Sequence, residues 1–175
     1  VDDIRFDVYH LGGHSFVQTP NIDRLAREGA QFKNMFCTTP LCSPSRAAFL
    51  TGQYAHHNGI IDNTAKDKLS HELITFPQIL KEKARYQTAF IGKWHMGNDD
   101  SRRPGFDHWI GMPGQGEAID PLLNINGTRQ RVKGYVTDLF TDYALEFLEN
   151  NSHKPFVLYL SHKALHPNTI QRDDG

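Results

Sequence analysis

Phe156-Val157-Leu158-Tyr159-Leu160, entered through Pro155 and left through Ser161-His162-Lys163-Ala164-Leu165-His166-Pro167, is the run that sets the fold class. An unbroken apolar run of this length, without polar alternation, reads as a strand buried on both faces, the kind found in parallel sheets. Upstream of it, Thr137 to Asn150 carries Leu139, Phe140, Tyr143, Ala144, Phe147 and Leu148 at helical spacing. A second strand is read at Tyr86-Gln87-Thr88-Ala89-Phe90-Ile91, running into Gly92-Lys93-Trp94-His95. It too follows a helix, carrying Ile79, Leu80 and Ala84, whose start at Thr75-Phe76-Pro77-Gln78 has the pattern of a capping box. Helices alternating with such strands predict an α/β architecture with a mostly parallel sheet.

In sheets of this kind ligands bind beyond the carboxyl ends of the strands. Three polar clusters are expected there: Asp2-Asp3, Lys93 with His95, and Ser161 to His166. The rest of the chain is read around them. Residues 1 to 18 read as the end of a strand and a polar loop with His10, Gly12, Gly13 and His14. Thr19 and Pro20 then start a short helix with Ile22, Leu25 and Ala26 on one face and Gly29 as its stop. Phe32, Met35 and Phe36 read as a buried segment before the turn at Thr39-Pro40. Residues 96 to 136, rich in Gly, Pro, Asp and Asn, are expected to form a covering insertion with short strands, for instance around Leu122 to Ile125, and a turn at Asn126-Gly127.

A chain of 175 residues with 38 % hydrophobic and 22 % charged residues suits one globular domain. A net charge of -1 gives no reason to expect nucleic acid or an anionic membrane as partner. No apolar run approaches a membrane span. Cys37 and Cys42 form no Cys-x-x-Cys pair, which argues against a zinc ribbon or a disulfide scaffold and leaves the compartment undecided. The chain opens on Val1-Asp2-Asp3 and closes on Arg172-Asp173-Asp174-Gly175, and is expected to be a piece of a longer domain.

The chemistry gathers at Leu41-Cys42-Ser43-Pro44-Ser45-Arg46-Ala47-Ala48-Phe49-Leu50-Thr51-Gly52. This reads as a helix closed by Gly52, with a thiol, two hydroxyls and an arginine in its first turns, the end that favours anions. Arg46, four residues after Cys42, shares its face. Lys93 offers a point charge, His95 a proton acceptor, and the Asp2-Asp3 carboxylates suit a hard divalent cation. His56, His57, Asp62 and Asn63 are further pocket candidates.

Cys42-Ser43-Pro44-Ser45-Arg46, Gly92-Lys93-Trp94-His95 and Asp2-Asp3 together resemble the signatures of the formylglycine-dependent sulfatases, of the alkaline-phosphatase-like superfamily. The resemblance runs from Asp2 to Pro167 and is similar above all to the N-acetylglucosamine-6-sulfatase and glycosaminoglycan branch. It implies that Cys42 is oxidised to formylglycine by a formylglycine-generating enzyme and attacks the sulfur of a sulfate ester. It further implies Ca²⁺, with Mg²⁺ as the substitute, bound by Asp2, Asp3 and residue 42. Arg46 would hold the aldehyde hydrate, Lys93 a sulfate oxygen, and His95 the formylglycine hydroxyl. His166, with His162 as competitor, would contact sulfate or protonate the leaving alcohol. The substrate implied is a sulfated small molecule or glycan. A first strand before Val1, and a later segment with further metal ligands and a second lysine, belong to the family pattern and not to this sequence. A phosphonate or phosphate ester hydrolase of the same superfamily, and a non-catalytic binder of sulfated glycans, remain alternatives.

Overall fold

A computed structural model describes residues 1–167; the closing run Arg172 to Gly175 lies outside them. The two strands read first are neighbours. β1 (Gln87–Lys93) and β5 (Phe156–Ser161) pair in parallel with Gly92 opposite Ser161, so both end on one rim. On its other side β1 pairs in parallel with β2 (His108–Met112). β3 (Leu122–Ile125) and β4 (Thr128–Arg131) continue as an antiparallel meander, giving the order β4-β3-β2-β1-β5.

The sheet is therefore mixed, and the expectation of a mostly parallel one is corrected in its outer half. Residues 96 to 136 are not merely a cover, since they contribute three of the five strands. The hairpin turn at Asn126-Gly127 is where it was read, with left-handed φ of 51° and 101°, the conformation such a tight turn requires.

Side-chain alternation along β1 divides the interior into two cores. Phe90 points to the side of α2 (Cys42–Thr51), packing with Ala47, Leu50, Trp94, Phe106 and Trp109. Ala89 and Ile91 point to the other side, against Phe140, Ala144 and Phe147 of α6 (Val136–Asn151). In the first core Phe90 stacks on Trp109 at 4.4 Å between ring centroids, and Trp94 meets Phe90 edge-on at 5.1 Å. Truncating an aromatic packed this way costs about 3–5 kcal/mol. Trp94 is thus an anchor between Lys93 and His95, and its indole N–H donates to Ser70 Oγ at 2.7 Å in α4 (Asp67–Glu72), numbered after α3 (Ala55–Asn58).

Local readings fail where no partner surface exists among the described residues. In α1 (Pro20–Glu28) the apolar face is outward: Leu25 is exposed, and the buried residue is Asp23, which accepts from Thr19 Oγ1 at 3.0 Å. Phe32, Met35 and Phe36 are exposed rather than buried, because residues 30 to 41 form no regular element that could turn them inward. The first residues form no strand; instead Asp2 N–H donates to the Ala164 carbonyl and Leu165 N–H to the Asp2 carbonyl, both at 2.8 Å. The capping box does not form at α5 (Phe76–Ala84): Thr75 makes no side-chain cap, and Gln78 bonds Glu82 one turn on at 2.9 Å.

Candidate active site

α2 begins at Cys42 because Leu41 is extended and Pro44, early in the helix, needs no N–H partner. The orphan Ser43 N–H is satisfied from outside the helix, by Asn63 Oδ1 at 3.0 Å. Gly52 closes the helix in the left-handed region at φ 68°. Ser43 Oγ donates to the His95 carbonyl, which ties the first turn of α2 to the end of β1.

The close approach of β1 and β5 depends on Gly92. Its φ is 134°, and a Cβ there would stand 2.0 Å from the Ser161 carbonyl oxygen. Immediately after it, Lys93 is fully buried, with Nζ donating to Asp2 Oδ2 at 2.5 Å and lying 3.8 Å from Cys42 Sγ. Arg46 reaches the same carboxylate, Nη2 to Asp2 Oδ1 at 3.2 Å. Its Nη1 also donates to the Lys93 carbonyl and to Ser161 Oγ, so one guanidinium ties α2, β1, β5 and Asp2 together. Asp2, Cys42, Ser45, Arg46 and Ser161 line one side of a cleft of about 670 Å³.

Charge in this cluster is set by proximity. Burial pushes the Asp2 carboxyl up, but the Lys93 and Arg46 contacts outweigh it and hold it below its usual value. His95 is buried beside the same two cations; burial first, then their charge, lowers its pKa to about 4. It is therefore a neutral imidazole at physiological pH, able to accept a proton. Its Nδ1 is buried with no hydrogen-bond partner among the described residues, which suits a ligand hydroxyl. Its backbone is left-handed at φ 57°, where the strand ends.

His166 is brought in by the turn after β5. A ring nitrogen of His166, Asp2 and Cys42 offer ligand atoms within 4.8 Å of one another, the group among the described residues that could hold a metal ion. Asp3 stands outside that group: its carboxylate is half exposed, 3.7 Å from His166 Nε2, on a backbone with φ 55°. A hard divalent cation takes six or more oxygens. Asp2 contributes one carboxylate, and residue 42 contributes an oxygen only if it is formylglycine, so the described residues fit part of such a shell.

The competitor His162 sits elsewhere, 6.4 Å from the Phe140 ring of α6, with burial lowering its pKa. His56 and His57 are exposed, their rings tilted against each other with centroids 4.4 Å apart, and Asp62 closes a local turn on Thr64 N–H at 2.9 Å. Of that loop only Asn63 serves the site, as the external cap of α2. Two residues at the rim were not singled out from the sequence: Ser161, held by Arg46, and Lys163, which is 4 % exposed. Their signal was position alone, in the polar run directly after a buried strand.

The family model described as Sulfatase matches residues 1–173. The chain belongs to the formylglycine-dependent sulfatase family. The sulfatase chain is 43 % identical over 160 residues to the N-acetylglucosamine-6-O-sulfatase of Bacteroides thetaiotaomicron, covering 89 % of this chain and 28 % of that protein. It is 30 % identical over 200 residues to human N-acetylgalactosamine-6-sulfatase, covering 95 % and 38 %. A structure solved in complex with its substrate D-glucosamine-2-N,6-O-disulfate superposes with a TM-score of 0.87 at 42 % identity, over 95 % of this chain and 33 % of that one. Another, solved with k-i-k-neocarrahexaose, gives 0.82 at 27 % identity, over 99 % and 45 %. This sulfatase chain thus spans between about a quarter and a half of the length of the relatives it matches.

Proposed function

We propose that the protein carrying this chain hydrolyses sulfate monoesters of a sulfated carbohydrate, through a formylglycine made from Cys42. The observation that supports the reading best is the meeting of Cys42 Sγ and the buried Lys93 ammonium, 3.8 Å apart, at the start of α2. As formylglycine hydrate, residue 42 supplies one hydroxyl to attack sulfur and a second whose deprotonation expels sulfate and restores the aldehyde. The helix N-terminus and Lys93 offset the charge of the sulfate oxygens. Neutral His95 takes the proton of the residue 42 hydroxyl, and His166 delivers one to the leaving alcohol oxygen. Arg46 and Ser161 hold these groups in register rather than touching the reacting atoms. A divalent cation, calcium by the family resemblance, would be held in part by Asp2, Asp3 and residue 42, and would add positive charge at the sulfate.

The likeness to an N-acetylglucosamine-6-O-sulfatase makes 6-O-sulfated glucosamine the first substrate to assay. The test compares turnover of an aryl sulfate and an aryl phosphonate by the natural full-length protein, with the mass of the peptide containing residue 42. A formylglycine mass with preferred sulfate turnover is the expected result. An unmodified thiol in active, natively expressed protein removes the mechanism, and faster phosphonate cleavage moves the enzyme to the neighbouring hydrolase class.

A further inference from the structure

Ser70, buried in α4, accepts two hydrogen bonds through one hydroxyl. One comes from the Trp94 indole N–H at 2.7 Å, the other from Arg103 Nε at 3.0 Å. Indole and guanidinium nitrogens can only donate, so both bonds use lone pairs of the same oxygen. Arg103 is itself 2 % exposed, and the rest of its fork is engaged. Nη2 donates to the Asp99 carbonyl at 2.8 Å, Nη1 donates to the Ser101 carbonyl, and the Asp99 carboxylate lies 3.6 Å from Nη1. The guanidinium carbon is 5.7 Å from the centroid of the Trp94 ring and 5.8 Å from that of Trp109, within cation–π range. A buried arginine thus holds the Trp94 indole twice, at its N–H through Ser70 and at its ring directly.

That indole belongs to the residue between Lys93 and His95. Lys93 Nζ reaches Asp2 and lies 3.8 Å from Cys42 Sγ, and the His95 carbonyl accepts from Ser43 of α2. Gly92 and His95 have φ of 134° and 57°, so β1 ends in an irregular backbone whose direction neighbouring groups must hold. Ser43 holds it from α2, and Ser70 with Arg103 holds it from α4 and the segment 99 to 103. Arg103 does not line the cleft that Asp2, Cys42 and Arg46 line. Its link to the reacting groups is Trp94.

We propose that Arg103 is a positioning residue for the sulfate-ester reaction: through Ser70 and the Trp94 ring it holds Lys93 and His95 in register with residue 42. This rests on the sulfate-ester reading above. A shift of the indole moves both neighbours, because the three share one short stretch of backbone. A misplacement of about 1 Å can lower a rate by on the order of a hundredfold. Proton transfer is the step most exposed to it, since it needs His95 within about 3 Å of the residue 42 hydroxyl. Attraction of the sulfate to a nearby charge falls off more gently with distance.

The test uses the natural full-length protein and an aryl sulfate, with rates expressed per formylglycine at residue 42 and measured well below each variant's thermal midpoint. Arg103→Met removes the charge and the fork, while Arg103→Lys keeps a charge and one donor for Ser70. The expected result in Arg103→Met is a fall in kcat of about tenfold or more, with KM and the inhibition constant of inorganic sulfate within about twofold of wild type. Arg103→Lys should fall between Arg103→Met and wild type. Ser70→Ala should lower kcat in the same way, and its effect should not multiply with that of Arg103→Met, since both act through one hydroxyl. A kcat within about twofold of wild type in folded Arg103→Met makes the arginine structural only and overturns the assignment. So does a raised KM with kcat intact, or a double variant whose losses multiply. Where Arg103→Met does not fold, the other two single variants decide: lowered kcat with unchanged KM in both upholds the assignment, and wild-type kcat in either overturns it. If wild type cleaves the aryl sulfate and the variants match it, this inference alone falls. If wild type does not cleave it, the sulfate-ester reading falls too.

Discussion

Asp2 shows how one side chain organises the site. Its two oxygens face Lys93 and Arg46, at 2.5 and 3.2 Å, in a cluster with almost no water access. Removing one partner of such a group leaves the others buried and uncompensated, which is worse than never having had the pair. Lys93→Ala should therefore lower both stability and turnover, with kcat down by roughly a hundredfold or more, the scale of a lost charge-stabilising group. Near-normal kcat in that variant would remove Lys93 from the chemistry. Arg46→Lys keeps the charge but cannot reach Asp2, Ser161 and the Lys93 carbonyl at once. We expect kcat to fall by about tenfold or more, the price of lost positioning, with KM little changed. A large KM effect with intact kcat would make Arg46 a binding residue instead. Cys42, Arg46, Lys93 and His95 were legible as residues because each lies in a dense local motif. Ser161 was not, because what makes it matter comes from another element, Arg46 of α2.

Between elements, the contact of β1 with β5 is the joint that aligns Lys93 with Ser161. Gly92 is its tightest point, so Gly92→Ala combines an unfavourable φ with a collision against backbone that cannot give way. The expected destabilisation is about 2 kcal/mol or more, read by chemical denaturation, with turnover lost in parallel. An alanine variant as stable and active as wild type would show that the strands tolerate separation. At the start of α2, Asn63→Ala should cost about 1 kcal/mol, as for loss of an ordinary N-cap, although Asn63 caps the helix from 20 residues away. That distance is why the sequence marked Asn63 as a pocket candidate and not as a helix cap. The same reasoning explains a strand that was not located: His108-Trp109-Ile110-Gly111-Met112 is short and lies among Gly and Pro, and its pairing with β1 defines it as a strand. β1 and β5 could be read because each is a continuous, largely apolar run, and that parallel pair carries the site.

For the molecule as a whole, burial of histidines sets the response to acid. His95, His108 and His162 all have lowered pKa values, with burial as the leading cause in each. Lys93 and Arg46 reinforce the effect at His95, while Glu146 opposes it at His108. In the unfolded chain these rings take up protons near pH 6.5, whereas in the fold His95 does so only at about 4. Between those values the unfolded state binds more protons, so stability is full above about pH 6.5 and declines as the pH falls toward 4. Carboxylates such as Asp2, whose pKa is lowered from 3.8, contribute their own loss only below that window. The thermal midpoint of the full-length protein should thus be flat from pH 8 to 7 and fall between about 6.5 and 4. His162 faces the Phe140 ring of α6 and is outside the Asp2, Cys42 and His166 group, so His162→Gln should flatten part of this decline while leaving turnover at neutral pH unchanged. A midpoint independent of pH down to 4, or the same slope in the variant, would mean that these rings are hydrated in the fold and titrate as they do in the open chain.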